Sequence, residues 1–129
     1  MPRTVLHNSR LPAPVGYSRA VRASGTGAIY TSMTAPVDSA GEVVGPGDAY
    51  RQAVQVLDNI RDILEENGSD LGDVVQVTAY IQRFEDCASV MRAIAERFDP
   101  PPAISAPVVS GLPNPAFLVE IAAVAWTSG

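Results

Sequence analysis

The sequence predicts an α+β fold in which two helices cover one face of a mixed β-sheet, with the element order ββαβαββ. Three observations predict it. Two segments repeat apolar residues with the period of an amphipathic helix, the segments around them alternate with period 2, and the last segment is apolar on both sides. The chain has 129 residues. Because single domains usually span roughly 100–150 residues, we expect residues 1–129 to form a single domain.

The N-terminal part of the chain is predicted to begin with an irregular arm and to continue as a β-hairpin. Residues 1–16 are rich in proline, which cannot donate to a strand ladder. Residues 17–24 and 28–34 are predicted to be the two strands, and the glycines between them form the turn. A run of glycine, proline and aspartate predicts a loop over residues 38–47.

Two amphipathic helices are predicted, over residues 48–67 and 85–98. In each helix, apolar side chains recur at intervals of four, three and four residues and form a stripe that a sheet must cover. Gly68 is a typical C-terminal stop for the first helix, and Pro100 ends the second. The stripe residues are Ala53, Leu57, Ile60 and Leu64 in the first helix and Cys87, Met91, Ile94 and Phe98 in the second.

Three more strands are predicted, over residues 74–82, 103–109 and 116–126. The apolar face of the first consists of Val75, Val77, Ala79 and Ile81. The last strand is apolar on both faces, which is typical of strands that are buried on both sides. Because two helices cover only one face of a sheet, the sequence predicts an obligate oligomer whose subunits bury the other face.

Composition excludes several kinds of chemistry. The formal net charge of −5 disfavours nucleic acid and anionic membranes as partners. All nine cationic side chains are arginine, so a lysine Schiff base is impossible. The single histidine, His7, and the single cysteine, Cys87, exclude a multi-histidine metal site and an intrachain disulfide. No apolar run reaches the ~18 residues of a membrane span, and we expect a soluble cytoplasmic protein.

Glu120 is the strongest candidate for a functional side chain. It is the only ionisable side chain between Pro100 and Gly129, and it lies within the most apolar predicted strand. Burial of a carboxyl group is costly without a partner and raises its pKa. The functional interpretation is a general acid/base or ligand anchor in a cleft. A structural ion pair with an arginine across a subunit interface, or exposure at a sheet edge, explains the same pattern.

Tyr17 and Ser18 are further candidates, because they precede the first predicted hairpin strand and can offer hydroxyl groups to a cleft. A tyrosine at a junction between loop and strand also serves as an amphipathic packing residue. Cys87 lies on the apolar stripe of the second helix and is expected to be a core residue.

Several short motifs follow one another between Pro14 and Ala125. They are Val15-Gly-Tyr-Ser-Arg-Ala20, Ile29-Tyr-Thr-Ser-Met-Thr-Ala-Pro36, Asp73-Val-Val-Gln-Val-Thr78, Pro102-Ala-Ile-Ser105 and Leu118-Val-Glu-Ile121. In this order and spacing, the motifs resemble those of the Rid/YjgF family, the reactive-intermediate imine and enamine deaminases.

The resemblance implies a chorismate-mutase-like fold and a homotrimer whose sheets form a central barrel, with clefts between the subunits. It also implies hydrolysis of enamine and imine intermediates, such as 2-aminoacrylate, to a ketoacid and ammonia. No metal or cofactor is implied. Tyr17, Ser32 and Ser105 match family positions and are expected to contact a small-molecule ligand.

Some family positions carry different side chains in this sequence. Ile104 stands where the family has an arginine that holds the substrate carboxylate. Glu120 matches the first of two family glutamates, and Ala122, on the same face of the strand, stands at the second. The other replaced positions are Met33, Met91 and Ala106.

These replacements predict a more apolar cleft in which Glu120 is the acid/base and the ligand is a small, largely apolar carbonyl, imine or enamine metabolite. The sequence leaves open whether Arg19 or Arg22 replaces the missing cation. Two alternatives also stay open: an ordinary 2-imino acid or enamine deaminase, and a non-catalytic, ligand-binding regulatory trimer.

Overall fold

The frame of the protein is a six-stranded mixed sheet. A computed structural model describes residues 2–127. The strands are β1 (Arg3–Leu6), β2 (Ala20–Ala23), β3 (Ala28–Thr31), β4 (Val74–Ile81), β5 (Ala103–Ser105) and β6 (Val119–Trp126). They lie in the order β1-β2-β3-β6-β4-β5, in which β4 and β5 are parallel and all other neighbours are antiparallel.

Two α-helices, α1 (Ala49–Glu66) and α2 (Cys87–Arg97), pack against each other and against the sheet, and together they enclose the hydrophobic core. The mixed sheet with two helices confirms the predicted α+β fold. α1 begins where the Asp48 side chain accepts a hydrogen bond from Arg51 N at 3.0 Å, and Gly68, with a φ of +81°, follows its C-terminal end. The predicted stripe of α1 is fully buried.

The N-terminal arm was expected to be irregular, and that expectation is wrong for residues 3–6. This segment forms β1, which pairs antiparallel with β2 from Arg3 opposite Ala23 to Leu6 opposite Ala20. Only Leu6 of the strand is buried. Such a short segment with one buried side chain has no period that can be recognised, and its backbone partners come from a distant part of the chain.

A bulge changes the face of β4 on which one valine lies. The strict alternation predicts that Val75 shares the buried face with Val77, but Val75 is 52% exposed. The pairing with β6 shifts between Val74 and Gln76, so Val74 takes the buried position instead. A bulge adds one residue to one strand and therefore displaces the alternation by one position.

β5 is shorter than the predicted strand over residues 103–109. It covers three residues, and further along the chain only an isolated bridge joins Ile81 and Val108. Pro107 interrupts the segment because it has no N–H to donate.

β6 presents two different faces. Val119 and Ile121 point towards the helices and are fully buried, whereas Glu120 lies on the opposite face. That second face is only partly covered within the chain, since Trp126 is 52% exposed and Tyr30, which pairs with Val124 across the strands, is 47% exposed.

Candidate functional site

A cavity of about 620 Å³ opens between the N-terminal arm, the segment after β3 and the start of β6. Its polar wall consists of Tyr17, Arg19, Ser32 and Glu120. The rest of the wall is largely apolar and consists of Pro12, Ala13, Met33, Ala35, Val37, Gly41, Pro113 and Phe117. Ligand pockets are usually roughly 300–1,000 Å³ and mostly apolar, so the cavity has the size and lining expected for a small metabolite.

The carboxyl group of Glu120 is buried without a partner. Its side chain is 5% exposed, and its Oε1 has no hydrogen-bond partner among the described residues. Glu120 takes part in none of the ion pairs found within residues 2–127. Burial raises the pKa of the Glu120 carboxyl above its ordinary value. The alternative of exposure at a sheet edge is therefore wrong, and an ion pair with another subunit stays untested.

The position of Glu120 follows from how β6 begins. Gln52, fully buried on α1, accepts a hydrogen bond from Leu118 N at 2.8 Å and donates to Ala116 O at 3.0 Å. These bonds fix the backbone two residues before Glu120, and strand alternation then turns its side chain away from the helices. Gln52 is not among the residues predicted from the sequence, although a glutamine within the apolar stripe of a helix signals a buried polar contact.

The segment after β3 brings the other polar groups to the cavity. Ser32 Oγ donates to Ser18 O at 2.6 Å, and Ser32 N donates to Arg19 O at 3.1 Å. Two residues further on, Thr34 exchanges backbone hydrogen bonds with Ile121 at 2.8 and 3.2 Å. The chain before β2 and the start of β6 are thus held to the same short segment.

Arg19 is the cation of the cavity. Its side chain is 8% exposed, and its guanidinium carbon lies 5.6 Å from the centre of the Tyr17 ring. A nitrogen of the guanidinium donates to Pro12 O. Arg22 points elsewhere and donates to Asn67 O at 2.8 Å. Of the two arginines that the sequence left open, the structure therefore places Arg19 in the wall that also contains Glu120.

Neither a metal site nor a membrane span is found in the described part of the chain. Within residues 2–127, no three histidine, cysteine, aspartate or glutamate side chains are grouped so that they could hold a metal ion. None of the described helices has the length and apolar character needed to cross a bilayer.

A family model described as Endoribonuclease L-PSP matches residues 7–127, a range that contains both helices and β2 to β6. The chain belongs to this family. The resemblance to Rid/YjgF proteins drawn from the motifs is thereby confirmed, because RidA and YjgF structures share the fold over nearly the whole chain.

Relatives of this Rid-family chain match it from end to end. A RutC family protein of Pyrococcus abyssi is 36% identical over 129 residues, which covers 98% of each chain. RidA of a Psychrobacter species has a TM-score of 0.86 at 29% identity and covers 96% of this chain and 99% of its own. TdcF of Escherichia coli, whose crystal structure contains bound serine, has a TM-score of 0.86 at 28% identity, with coverages of 97% and 99%.

Some of the side chains expected around the ligand lie elsewhere in this Rid-family chain. Met91, Ile104 and Ala106 pack against the hydrophobic core. Ile104 is the register partner of Val77, whose side chain is buried on the helix side of the sheet. Within one chain none of these three residues lines the cavity. Ile104 and Ala106 lie on or just after β5, which β4 separates from β6, and Met91 lies on α2.

The remaining predicted residues divide into two groups. Tyr17, Ser32 and Met33 line the cavity together with Glu120, and Ser18 contributes its backbone oxygen to Ser32. Two others do not line it: Ser105, which is exposed on β5, and Ala122, which is half-buried on β6. Most of the apolar wall could not be predicted from the sequence, because it comes from loops whose residues follow no regular period.

Proposed function

We propose that this Rid-family protein binds a small, largely apolar carbonyl, imine or enamine metabolite in the cavity around Glu120, and that Glu120 assists its conversion by proton transfer or, for an imine or enamine, by hydrolysis. One observation carries the proposal: a buried carboxyl group without a hydrogen-bond partner faces a largely apolar cavity of about 620 Å³. Perturbed carboxyl groups in clefts are typical of acid/base catalysts.

The raised pKa of Glu120 suits both directions of proton transfer. In its neutral form, the carboxyl group donates a proton to the carbon of an enamine and generates an iminium group. Water adds to the iminium carbon and returns a proton to the carboxylate. The same carboxyl group then protonates the nitrogen, ammonia leaves as the C–N bond breaks, and the hydroxyl proton of the new carbonyl returns to Glu120.

We further propose that the chain acts as a single domain within a homotrimer, with the cavity lying in a cleft between subunits. The partly covered face of the sheet, with Tyr30 and Trp126 about half exposed, supports this assembly. A neighbouring subunit can also bring β5, and with it Ser105, towards a cavity that its own chain does not reach. The single cysteine suits a reducing cytoplasm.

Two further observations support a small metabolite over RNA as the ligand. TdcF of Escherichia coli, with the same fold, holds a serine molecule. The net charge of this chain is −5, whereas RNA binding depends on clustered cationic side chains.

The experiment compares Glu120→Gln with Glu65→Gln, a matched change at an exposed glutamate of α1. Ammonia release is followed with the imine of a small neutral ketone and, separately, with freshly generated 2-aminoacrylate. With the neutral imine, we expect the wild type and Glu65→Gln to accelerate release, and Glu120→Gln to lose about a hundredfold or more, the usual contribution of a general acid/base. Clear acceleration with 2-aminoacrylate would instead favour an ordinary 2-imino acid or enamine deaminase. Turnover that survives in Glu120→Gln contradicts the assigned role, and a wild type without acceleration favours a non-catalytic, ligand-binding trimer.

A further inference from the structure

The short segment from Thr34 to Val37 runs from the start of β6 to α1 and forms one wall of the cavity. Thr34 exchanges backbone hydrogen bonds with Ile121, the residue next to Glu120, at 2.8 and 3.2 Å. Ala35 and Val37 then contribute their apolar side chains to the lining. The apolar wall thus begins one residue after the point at which this segment is bonded to the strand that carries Glu120.

The side chain of Asn59 joins this segment to α1. It is 2% exposed, and its Nδ2 donates to Val37 O at 2.8 Å and to Ala35 O at 3.1 Å. Its Oδ1 accepts a hydrogen bond from Gln55 Nε2 at 2.9 Å, so the donors and the acceptor of this buried amide all have partners. Gln55 itself reaches Val37 O only at 3.5 Å. Asn59 therefore provides the short hydrogen bonds between the helix and this wall.

The backbone alone does not hold the wall against the helix. Val37 N donates to Ala35 O within the segment, and Val37 forms an isolated bridge with Val43 in the following turn. Among the described residues, no backbone hydrogen bond joins the segment to α1. A buried and fully satisfied amide fixes the groups that it contacts. The two carbonyl groups that Asn59 holds belong to the residues whose side chains line the cavity, so the position of the wall depends on this side chain.

We infer that Asn59 is a positioning residue that sets the affinity of the cavity for the alkyl group of its ligand, which packs against Ala35 and Val37. The inference rests on the proposed function in taking this cavity as the ligand site, and it assigns the hydrocarbon part of the metabolite to one wall. Burial of one methylene group against apolar surface strengthens binding about fourfold. A wall that moves away by a fraction of an ångström loses much of this gain, because dispersion contacts weaken steeply with distance.

The test compares 2-butanone with 2-hexanone, two neutral methyl ketones that differ by two methylene groups. Dissociation constants are measured by NMR titration for the assembled wild type, for Val37→Ala and for Asn59→Leu, which has similar volume but cannot donate. We expect the wild type to bind 2-hexanone about tenfold more tightly, and both variants to reduce this ratio to about fourfold or less, the contribution of one methylene group. The ratio does not depend on the fraction of folded protein, so a loss of stability alone leaves it unchanged.

Two matched variants serve as controls. Val43→Ala makes the same change at the bridge partner of Val37, which does not line the cavity. Asn67→Leu removes an amide that, like that of Asn59, donates to two backbone carbonyl groups, but at the C-terminal end of α1 and outside this cavity. We expect both controls to keep the ratio of the wild type.

The outcomes separate this inference from the proposed function. A ratio that persists in folded Asn59→Leu overturns the role of Asn59, and one that persists in Val37→Ala overturns this wall as the contact surface even if Asn59→Leu does not fold. Equal affinity of the wild type for the two ketones, or no binding of either, overturns the inference without recourse to any variant. Glu120→Gln is expected to keep the ratio while losing turnover, so a failure of Glu120 as acid/base leaves this result unaffected.

Discussion

The side-chain oxygen of Gln52, Oε1, accepts a hydrogen bond from Leu118 N at 2.8 Å. Its amide nitrogen donates to Ala116 O at 3.0 Å and to Gly45 O at 3.2 Å. A single fully buried side chain thus connects the loop before α1, the helix itself and the start of β6. The wall that contains Glu120 depends on this connection.

Gln52→Met should therefore destabilise the protein more than the loss of an ordinary polar side chain. It keeps the volume but leaves the Leu118 N–H and the Gly45 carbonyl, which both belong to buried residues, without this partner, whereas water can reach the carbonyl of the exposed Ala116. Each unsatisfied buried group costs about 1–3 kcal/mol. We expect the free energy of unfolding, measured by urea denaturation at a fixed subunit concentration, to fall by about 2–6 kcal/mol.

The matched control for this prediction is Gln55→Met, one turn away on α1. Gln55 is half-buried, and its clearest hydrogen bond is the one at 2.9 Å to Asn59 on the same helix. We expect a loss of about 0.5–1.5 kcal/mol for this change. Equal losses of unfolding free energy in the two variants would contradict this prediction, because the bonds to the start of β6 would then add no extra stability.

The contribution of Glu120 to the free energy of unfolding should fall as the pH rises above the ordinary pKa of a carboxyl group. The pKa of Glu120 is raised by burial in the folded state above the ordinary value of 4.5. Between these two pKa values the folded state binds more protons than the unfolded state, so the free energy of unfolding decreases with rising pH. Glu120→Gln removes the cost of ionising a buried carboxyl group.

We expect Glu120→Gln to be more stable than the wild type at neutral pH, and the difference to disappear below the ordinary carboxyl pKa. Urea denaturation of both proteins across the pH range measures this difference directly. A glutamine variant that is less stable than the wild type at neutral pH would indicate that the carboxylate has a favourable partner in the assembled protein.

The turn between β2 and β3 should not tolerate a side chain at Gly27. A Cβ at this position would lie 1.7 Å from Thr127 O, and Thr127 N donates to Gly27 O at 3.0 Å. Because backbone atoms cannot move aside easily, Gly27→Ala should lower stability by about 1–3 kcal/mol, the usual cost of overpacking. Gly111→Ala is the control, since a Cβ there meets nothing within 4 Å. Similar melting temperatures for the two variants would contradict the close approach of Thr127 to Gly27.

The proposed trimer can be tested at the partly covered face of the sheet. Tyr30→Asp places a charge on that face, where Tyr30 is 47% exposed in the single chain. We expect the molecular mass measured by light scattering to fall to that of smaller species, because an unpaired charge is costly in an interface. Phe84→Asp, at a residue that is 80% exposed on the turn before α2, should leave the mass unchanged. A wild type that is a stable monomer on dilution contradicts the assembly.

The sequence predicts those helices and strands in which apolar residues repeat at regular intervals. Both helices and β4 are long enough for their apolar residues to repeat, and the stripe through Leu57 and Ile60 is buried as expected. β1 was missed because it has one buried residue, and Val75 was placed on the wrong face because a bulge leaves no mark in the alternation. Short pairings and bulges depend on partners that are distant in sequence.

The candidate site could be predicted only in part for a similar reason. Glu120 is conspicuous as a lone carboxyl group in an apolar strand, and the motifs identified Tyr17 and Ser32. Whether Arg19 or Arg22 joins them depends on the direction in which each side chain leaves β2 and the loop before it. That direction follows from the pairing of the strands, which the residues of the hairpin alone do not determine.

The titration of Glu120 itself shows whether its carboxyl group is buried without a compensating cation. The protein is labelled with ¹³C at the glutamate carboxyl groups, and the Glu120 signal, assigned by its absence in Glu120→Gln, is followed against pH in the assembled protein. We expect the midpoint of the Glu120 titration to lie above the ordinary value of 4.5. A midpoint at or below that value would contradict it, because it would reveal an ion pair or access to bulk water.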